Sequence, residues 1–207
     1  MKILNLYAGI GGNRKLWGDE HEVTAVELDE NTADVYVKFF PNDTLIRKDA
    51  HQYLLEHYKE FDFIWSSPPC PSHSITNLFL NGKGHIRYPD MRLYQEIILL
   101  KRWGYSDKVK WCIENVMPYY KPLIHASFVM ERHLFWTNFR VVPTSLPKLP
   151  SAMENMTHGQ LQKALDIKLP SGTEGDKRLM LRDITRPEIG VHILKAALKE
   201  TKQEAML

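Results

Sequence analysis

The sequence predicts an α/β fold, a doubly wound and mostly parallel sheet with helices on both faces. Three observations predict it. Short runs of branched and aromatic apolar residues recur and stop at glycine, acid or proline, as strands buried on both faces do. Stretches with apolar side chains at helical spacing separate these runs. The first run passes straight into a glycine-rich turn and a helix start, the opening of a dinucleotide-type unit.

The totals bound the problem. The chain has 207 residues, 43% hydrophobic and 25% charged. That suits one sizeable core, and residues 1–207 are expected to form a single catalytic domain. The net charge of +2 means that any nucleic-acid site must be a local patch. Two cysteines far apart, Cys70 and Cys112, suggest neither a disulfide scaffold nor a zinc framework, so no metal is expected and a cytoplasmic setting fits. No secretory leader pattern opens the chain and no apolar run reaches the roughly 20 residues of a membrane span, so no membrane partner is expected.

Taken in order, Lys2 to Tyr7 reads as the first strand, followed by Ala8-Gly9-Ile10-Gly11-Gly12 and a helix start at Asn13 to Trp17. Glycines let backbone approach a ligand closely, and Tyr7, Ala8, Gly9, Gly11 and Gly12 are candidate contacts; a tight strand-to-helix connection is the plainer alternative. Val23 to Val26 is a second strand ending at Glu27-Leu28-Asp29. An acid there is placed to accept from a ribose diol, or to favour the start of the helix Asn31 to Phe40, a role that suits Asp29 better. Pro41 stops that helix. Leu45 and Ile46 suggest a short third strand. Asp49, beside Ala50, either reaches an adenine amino group or caps the helix from about His51 to Tyr58.

The fourth strand is Phe61 to about Trp65. Prolines cannot donate to a sheet ladder, so it must end by Pro68. Cys70 therefore lies just past a strand's carboxyl end, where ligands collect in open α/β sheets. On type alone it could be a structural thiol. Its place among Pro68, Pro69, Pro71, Ser72, His73 and Ser74 points instead to a positioned nucleophile.

Residues 71–90 form a long polar connection carrying Lys83, His85 and Arg87, a binding loop or lid by its length. Asp90 to Trp103 has helical spacing. Lys110 to Ile113 is a fifth strand running into Glu114-Asn115-Val116, where Glu114 would face the crevice of Cys70 or be a solvated charge. Cys112 is expected in the core. Residues 126–139 read as one or two strands with Arg132 and His133 between apolar flanks. Residues 140–178 form an irregular segment with one helical patch near Gln160 to Leu165. Lys177, Arg178 and Arg182 read as a solvated basic cluster. A closing helix spans 187–200, with proline near its start.

As an ordered set these motifs resemble the DNA cytosine-5 methyltransferase family. Asn5 to Gly12 is similar to its first motif, Glu27 to its ribose-binding acid and Asp49 to the acid near adenine. Ser67-Pro68-Pro69-Cys70 is similar to its nucleophile motif and Glu114-Asn115-Val116 to its base-binding motif. The resemblance implies a Rossmann-like class I S-adenosylmethionine-dependent fold and S-adenosylmethionine as cofactor, leaving S-adenosylhomocysteine. It implies methylation of cytosine C5 in DNA through a Cys70–C6 bond on a flipped base, of the kind used in restriction-modification in bacteria or phage-infected cells. Cys70, Pro69, Glu114 and Asn115 would be the catalytic set. Tyr7, Ala8, Gly9, Gly11, Gly12, Glu27, Leu28, Asp49, Ala50 and Pro68 would hold the cofactor. Ser72, Lys83, His85, Arg87, Arg132 and His133 would meet nucleic acid.

Two departures stand out. The family's next motif carries two arginines flanking one residue; here Glu131 and His133 flank Arg132. The large target-recognition region is reduced to about residues 140–175, and the closing motif to a remnant at Arg186-Pro187-Glu188-Ile189-Gly190. RNA or tRNA as substrate, a partner subunit for recognition, an amino (N4) methyltransferase and a non-catalytic binding module stay open, as do monomer and homodimer.

Overall fold

In a computed structural model describing residues 1–103, 109–147 and 155–204, seven strands form one sheet in the order β3-β2-β1-β4-β5-β7-β6. The strands are β1 (Lys2–Leu6), β2 (Glu22–Val26), β3 (Thr44–Ile46), β4 (Phe63–Ser66), β5 (Lys110–Val116), β6 (Phe128–Met130) and β7 (His133–Thr137). The first five run parallel, and β7 is antiparallel to β5 and β6. Helices α1 (Glu30–Phe39), α2 (Ala50–His57), α3 (Asn77–Asn81), α4 (Arg92–Arg102), α5 (His158–Leu165), α6 (Lys177–Arg182) and α7 (Pro187–Glu204) complete it.

Alternation along the strands sorts the two faces. Leu4 and Leu6 of β1 and Ile64 of β4 pack with Leu54 of α2 and Leu93, Ile97 and Leu100 of α4. Ile3 of β1, with Phe63, Trp65 and Cys112, packs with Ile189, Ile193, Leu194 and Ala197 of α7. Cys112 is thus a core residue, completely enclosed.

The sheet leaves β1 first toward β2 and β3, then returns to β4 on its other side. This reversal is the switch point at which a crevice opens outside the strand ends. The register fixes what stands there. Leu6 pairs with Val26 and with Ser66, and Ser66 with Ile113. One residue further, Tyr7, Glu27, Ser67 and Glu114 follow on four neighbouring strands.

Two expectations need correction. Glu114 and Asn115 lie within β5, because β7 pairs with Glu114, Asn115 and Val116 after β4 has ended. Residues 71–90 contain α3 and are pinned at their base. Within 140–178 the expected helical patch near Gln160 to Leu165 is α5, and α6 begins at Lys177. Thr157 and Gln160 cap α5 reciprocally, and Leu161, Ile167, Leu169, Met180 and Leu181 pack with Ile10 and Val35. The cluster Lys177, Arg178 and Arg182 belongs to α6, whose start Asp176 caps.

Candidate active site

A cavity of about 720 Å³ opens at the switch point, with a second of about 570 Å³ beside it. Tyr7, Glu27, Asp29 and Pro69 line both. The larger takes in Ala8, Gly9, Gly12, Pro68, Cys70, Glu114, Arg132 and His133; the smaller takes in Leu28, Asp49 and Ala50.

The β1 turn is set by backbone geometry. Gly9 has φ of +56°, and a Cβ placed there would meet nothing within 4 Å, so the backbone is bare toward open space. Gly11 is different: with φ of +80°, it abuts the Phe40 ring, where a Cβ would clash. Gly11 therefore serves turn packing and does not line either cavity. A Cβ on Gly12 would strike the Thr185 carbonyl and Ile184, so its smallness lets residues 184–185 reach the cavity. Buried Asn13 donates to Asn5, tying the turn back to β1.

Glu27 is held by three backbone N–H groups. Gly9 donates to Oε2, and Leu28 and Asp29 to Oε1, each at 2.9 Å. Oε2 accepts one of these bonds and so retains acceptor capacity beside the cavities. Asp29 caps α1 by accepting from Thr32. Asp49 caps α2 by accepting from Gln52, and its other oxygen meets Arg92 at 3.2 Å.

Beneath Tyr7 lies a cluster that sequence spacing did not signal. Glu96 of α4 is fully buried and accepts from the Tyr7 hydroxyl at 2.7 Å and the Ser66 hydroxyl at 2.6 Å. His51 Nδ1 stands 3.0 Å from it, and this hydrogen bond raises the imidazole pKa above its ordinary value. Burial, followed by the Glu96 charge, pushes the Tyr7 phenol far up, so it remains a neutral donor.

On the β4–β5 side, Glu114 is only 6% exposed. Its Oε2 accepts from Ser67 at 2.8 Å and Thr185 at 2.9 Å. Ser67 in turn accepts from the Trp65 indole. Oε1 faces His133 Nε2 at 3.6 Å, outside hydrogen-bond range, and so keeps its acceptor capacity. Burial lowers the His133 pKa, leaving a neutral ring whose Nδ1 has no partner among the described residues. Thr185 and Asp183 are cavity residues that sequence reasoning missed, because the fold alone brings the α6–α7 connection over β5.

Cys70 is half-buried. Its carbonyl accepts from His73 and Ser74, closing a turn after the prolines. Asn115 does not line the cavity; its amide donates to the Pro68 carbonyl at 2.9 Å and fixes the segment between β4 and Cys70. Burial pushes the Cys70 thiol up to about 11, with the Asp183 and Glu114 carboxylates adding and Arg132 opposing. The free thiol is therefore protonated at neutral pH, and attack requires its proton to leave as the new sulfur bond forms. Ser72 accepts from the Asp90 backbone and does not line either cavity, and Lys83, His85 and Arg87 project from the surface.

The fold and its strand-tip cavity are those of a doubly wound, mostly parallel α/β protein. Residues 1–98 match the family model for C-5 cytosine-specific DNA methylase. It is 25% identical over 155 residues to a tRNA (cytosine(38)-C(5))-methyltransferase from Spodoptera frugiperda, a match covering 70% of the chain; the chain spans 45% of that relative's length. Among solved structures it is similar to a DNMT2 mutant from the same organism, with TM-score 0.63 and 16% identity, covering 95% of this chain and 99% of that one. It is also similar to the Entamoeba histolytica methyltransferase EhMeth, with TM-score 0.57 and 10% identity, covering 97% and 98%.

Proposed function

We propose that the protein methylates C5 of cytosine in nucleic acid, with DNA as the substrate of the main reading. The observation that carries it is the meeting of Cys70 and Glu114 on one cavity beside the bare turn at Gly9 and the acid at Glu27. The donor set fits S-adenosylmethionine, which carries no phosphate. Gly9 offers close backbone approach, Glu27 an acceptor for hydroxyls, and the smaller cavity a wall of Val26, Ala50 and Pro69. When bound, this cofactor supplies the electrophilic methyl that C5 takes up.

The chain's own residues make C5 reactive. Cys70 Sγ bonds to C6 as its proton leaves, turning C5 into an enamine-like carbon. N3 takes up a proton as the sulfur adds, and Glu114 Oε1 stabilises that N3–H while accepting from the exocyclic amine. Loss of the C5 proton then expels Cys70 and restores the ring. Such faces are hidden inside a duplex, so the base must be extruded. Asn115 acts as a positioning residue through Pro68.

The resemblance to an enzyme named for tRNA supports RNA as a second substrate reading. Labelled methyl transfer to duplex DNA and to tRNA, followed by nucleoside digestion, tests both. 5-Methylcytosine in DNA supports the main reading and 5-methylcytosine in tRNA the second. Label on an exocyclic nitrogen, or no label with cofactor bound, overturns the chemistry.

A further inference from the structure

The segment after Cys70 has a surface that the chemistry above does not use. Its ends meet, because the Asp90 backbone donates to Ser72. Its base is fastened: Ile75 donates to the Met117 carbonyl, Tyr119 to that of His73, and the Tyr119 hydroxyl to that of Arg87. Beyond these ties it turns apolar side chains outward. Phe79 is 77% exposed and Tyr88 83%, with Leu78 and Ile86 also exposed. Neither ring packs on another aromatic ring among the described residues. Residues 71–89 include Lys83, His85 and Arg87 and no aspartate or glutamate. None of these three cations pairs with a carboxylate among the described residues.

We propose that residues 78–88 form a stacking platform for unpaired nucleotides next to the target base. Phe79 and Tyr88 offer ring faces to bases, and Lys83, His85 and Arg87 contact the connecting phosphates. Interleaved aromatics and cations are the chemistry by which proteins hold single strands. Ser74, Ile75 and Thr76 line the cavity, so the platform continues from its rim. A symmetric second copy would set like charges against each other. Paired bases hide their faces and could not stack here. The platform rests on the reading of the cavity as a site for a cytosine ring, and it adds which form of nucleic acid delivers that ring.

Fluorescence anisotropy at fixed salt on a short RNA strand, the same strand as DNA, and its duplex tests this with the full chain. Phe79→Ala/Tyr88→Ala should lose about tenfold or more affinity for the single strands and change duplex binding little. Phe79→Tyr/Tyr88→Phe should restore the loss. Lys83→Gln/Arg87→Gln should flatten the salt dependence of single-strand binding by roughly 1.4 log units per log unit. Unchanged single-strand affinity, or an equal loss on duplex, overturns the platform. So does a dimer in sedimentation that the double alanine variant dissolves, or vesicle binding that it abolishes. Cofactor calorimetry on the same variants separates the readings: a parent protein that binds strands but no S-adenosylmethionine retains the platform and loses the methyl-transfer proposal.

Discussion

The two flanks of the crevice are finished to different degrees. On the β1–β2 flank the polar groups satisfy one another: Glu27 accepts three backbone N–H groups, Asp29 and Asp49 cap helices, and Tyr7 rests on Glu96. On the other flank, His133 Nδ1, on a cavity residue, has no partner among the described residues, and Phe79 and Tyr88 stand in solvent. This flank thus presents an unmatched ring nitrogen and exposed aromatic rings where the first presents paired groups. The contrast suits a small cofactor met by a ready-made cleft and a polymer that finishes the remainder.

Changes on the unfinished flank should abolish chemistry while sparing the cofactor. Cys70→Ala should remove methyl transfer entirely, and Glu114→Gln should lower it by about a hundredfold or more. Calorimetry should find cofactor affinity within about twofold of the parent in both; transfer surviving Cys70→Ala would refute the covalent route. The reverse pattern is expected at Glu27. Glu27→Ala should weaken cofactor binding by roughly 10- to 100-fold, and unchanged affinity would take Glu27 out of the site.

The finished flank should also carry stability. Glu96→Ala strands His51, Tyr7 and Ser66 in the interior and should cost about 3–5 kcal/mol in denaturant unfolding. Because the His51 pKa is raised on folding, the pair contributes fully below the ordinary value of 6.5, and the contribution fades as pH rises through the folded value. Stability of the parent should therefore fall more steeply over that range than stability of His51→Ala.

The smallest effects concern thiol charge. Alkylation of Cys70 should climb without a plateau until pH nears about 11. Asp183→Asn removes a carboxylate that disfavours the thiolate and should move the profile to lower pH. Arg132→Gln should move it to higher pH. A parent midpoint below about pH 8 would contradict the burial that sets this value.

Most of the fold is legible in sequence because strand and helix signals are local. The β4 run before Pro68-Pro69, the glycines after β1 and the Pro187 helix start mark their elements without neighbours. Gly11 illustrates the limit: its residue type announces a turn, but only Phe40 packed against it separates a packing glycine from the bare Gly9. Phe79 and Tyr88 were hidden for a related reason, since an apolar residue's type says nothing about whether the chain buries it.

The sequence by itself determined the strand ends and the residue types standing on them, since turn chemistry and alternation act over a few residues. Tertiary structure decided which of those residues share a cavity. It extended β5 by pairing it with β7, carried Thr185 and Asp183 over Glu114 and Cys70, and joined Glu96 to Tyr7 from 89 residues away. Those juxtapositions depend on sheet order and helix docking, which are set by burial summed over the whole chain and leave no mark on any short stretch of it.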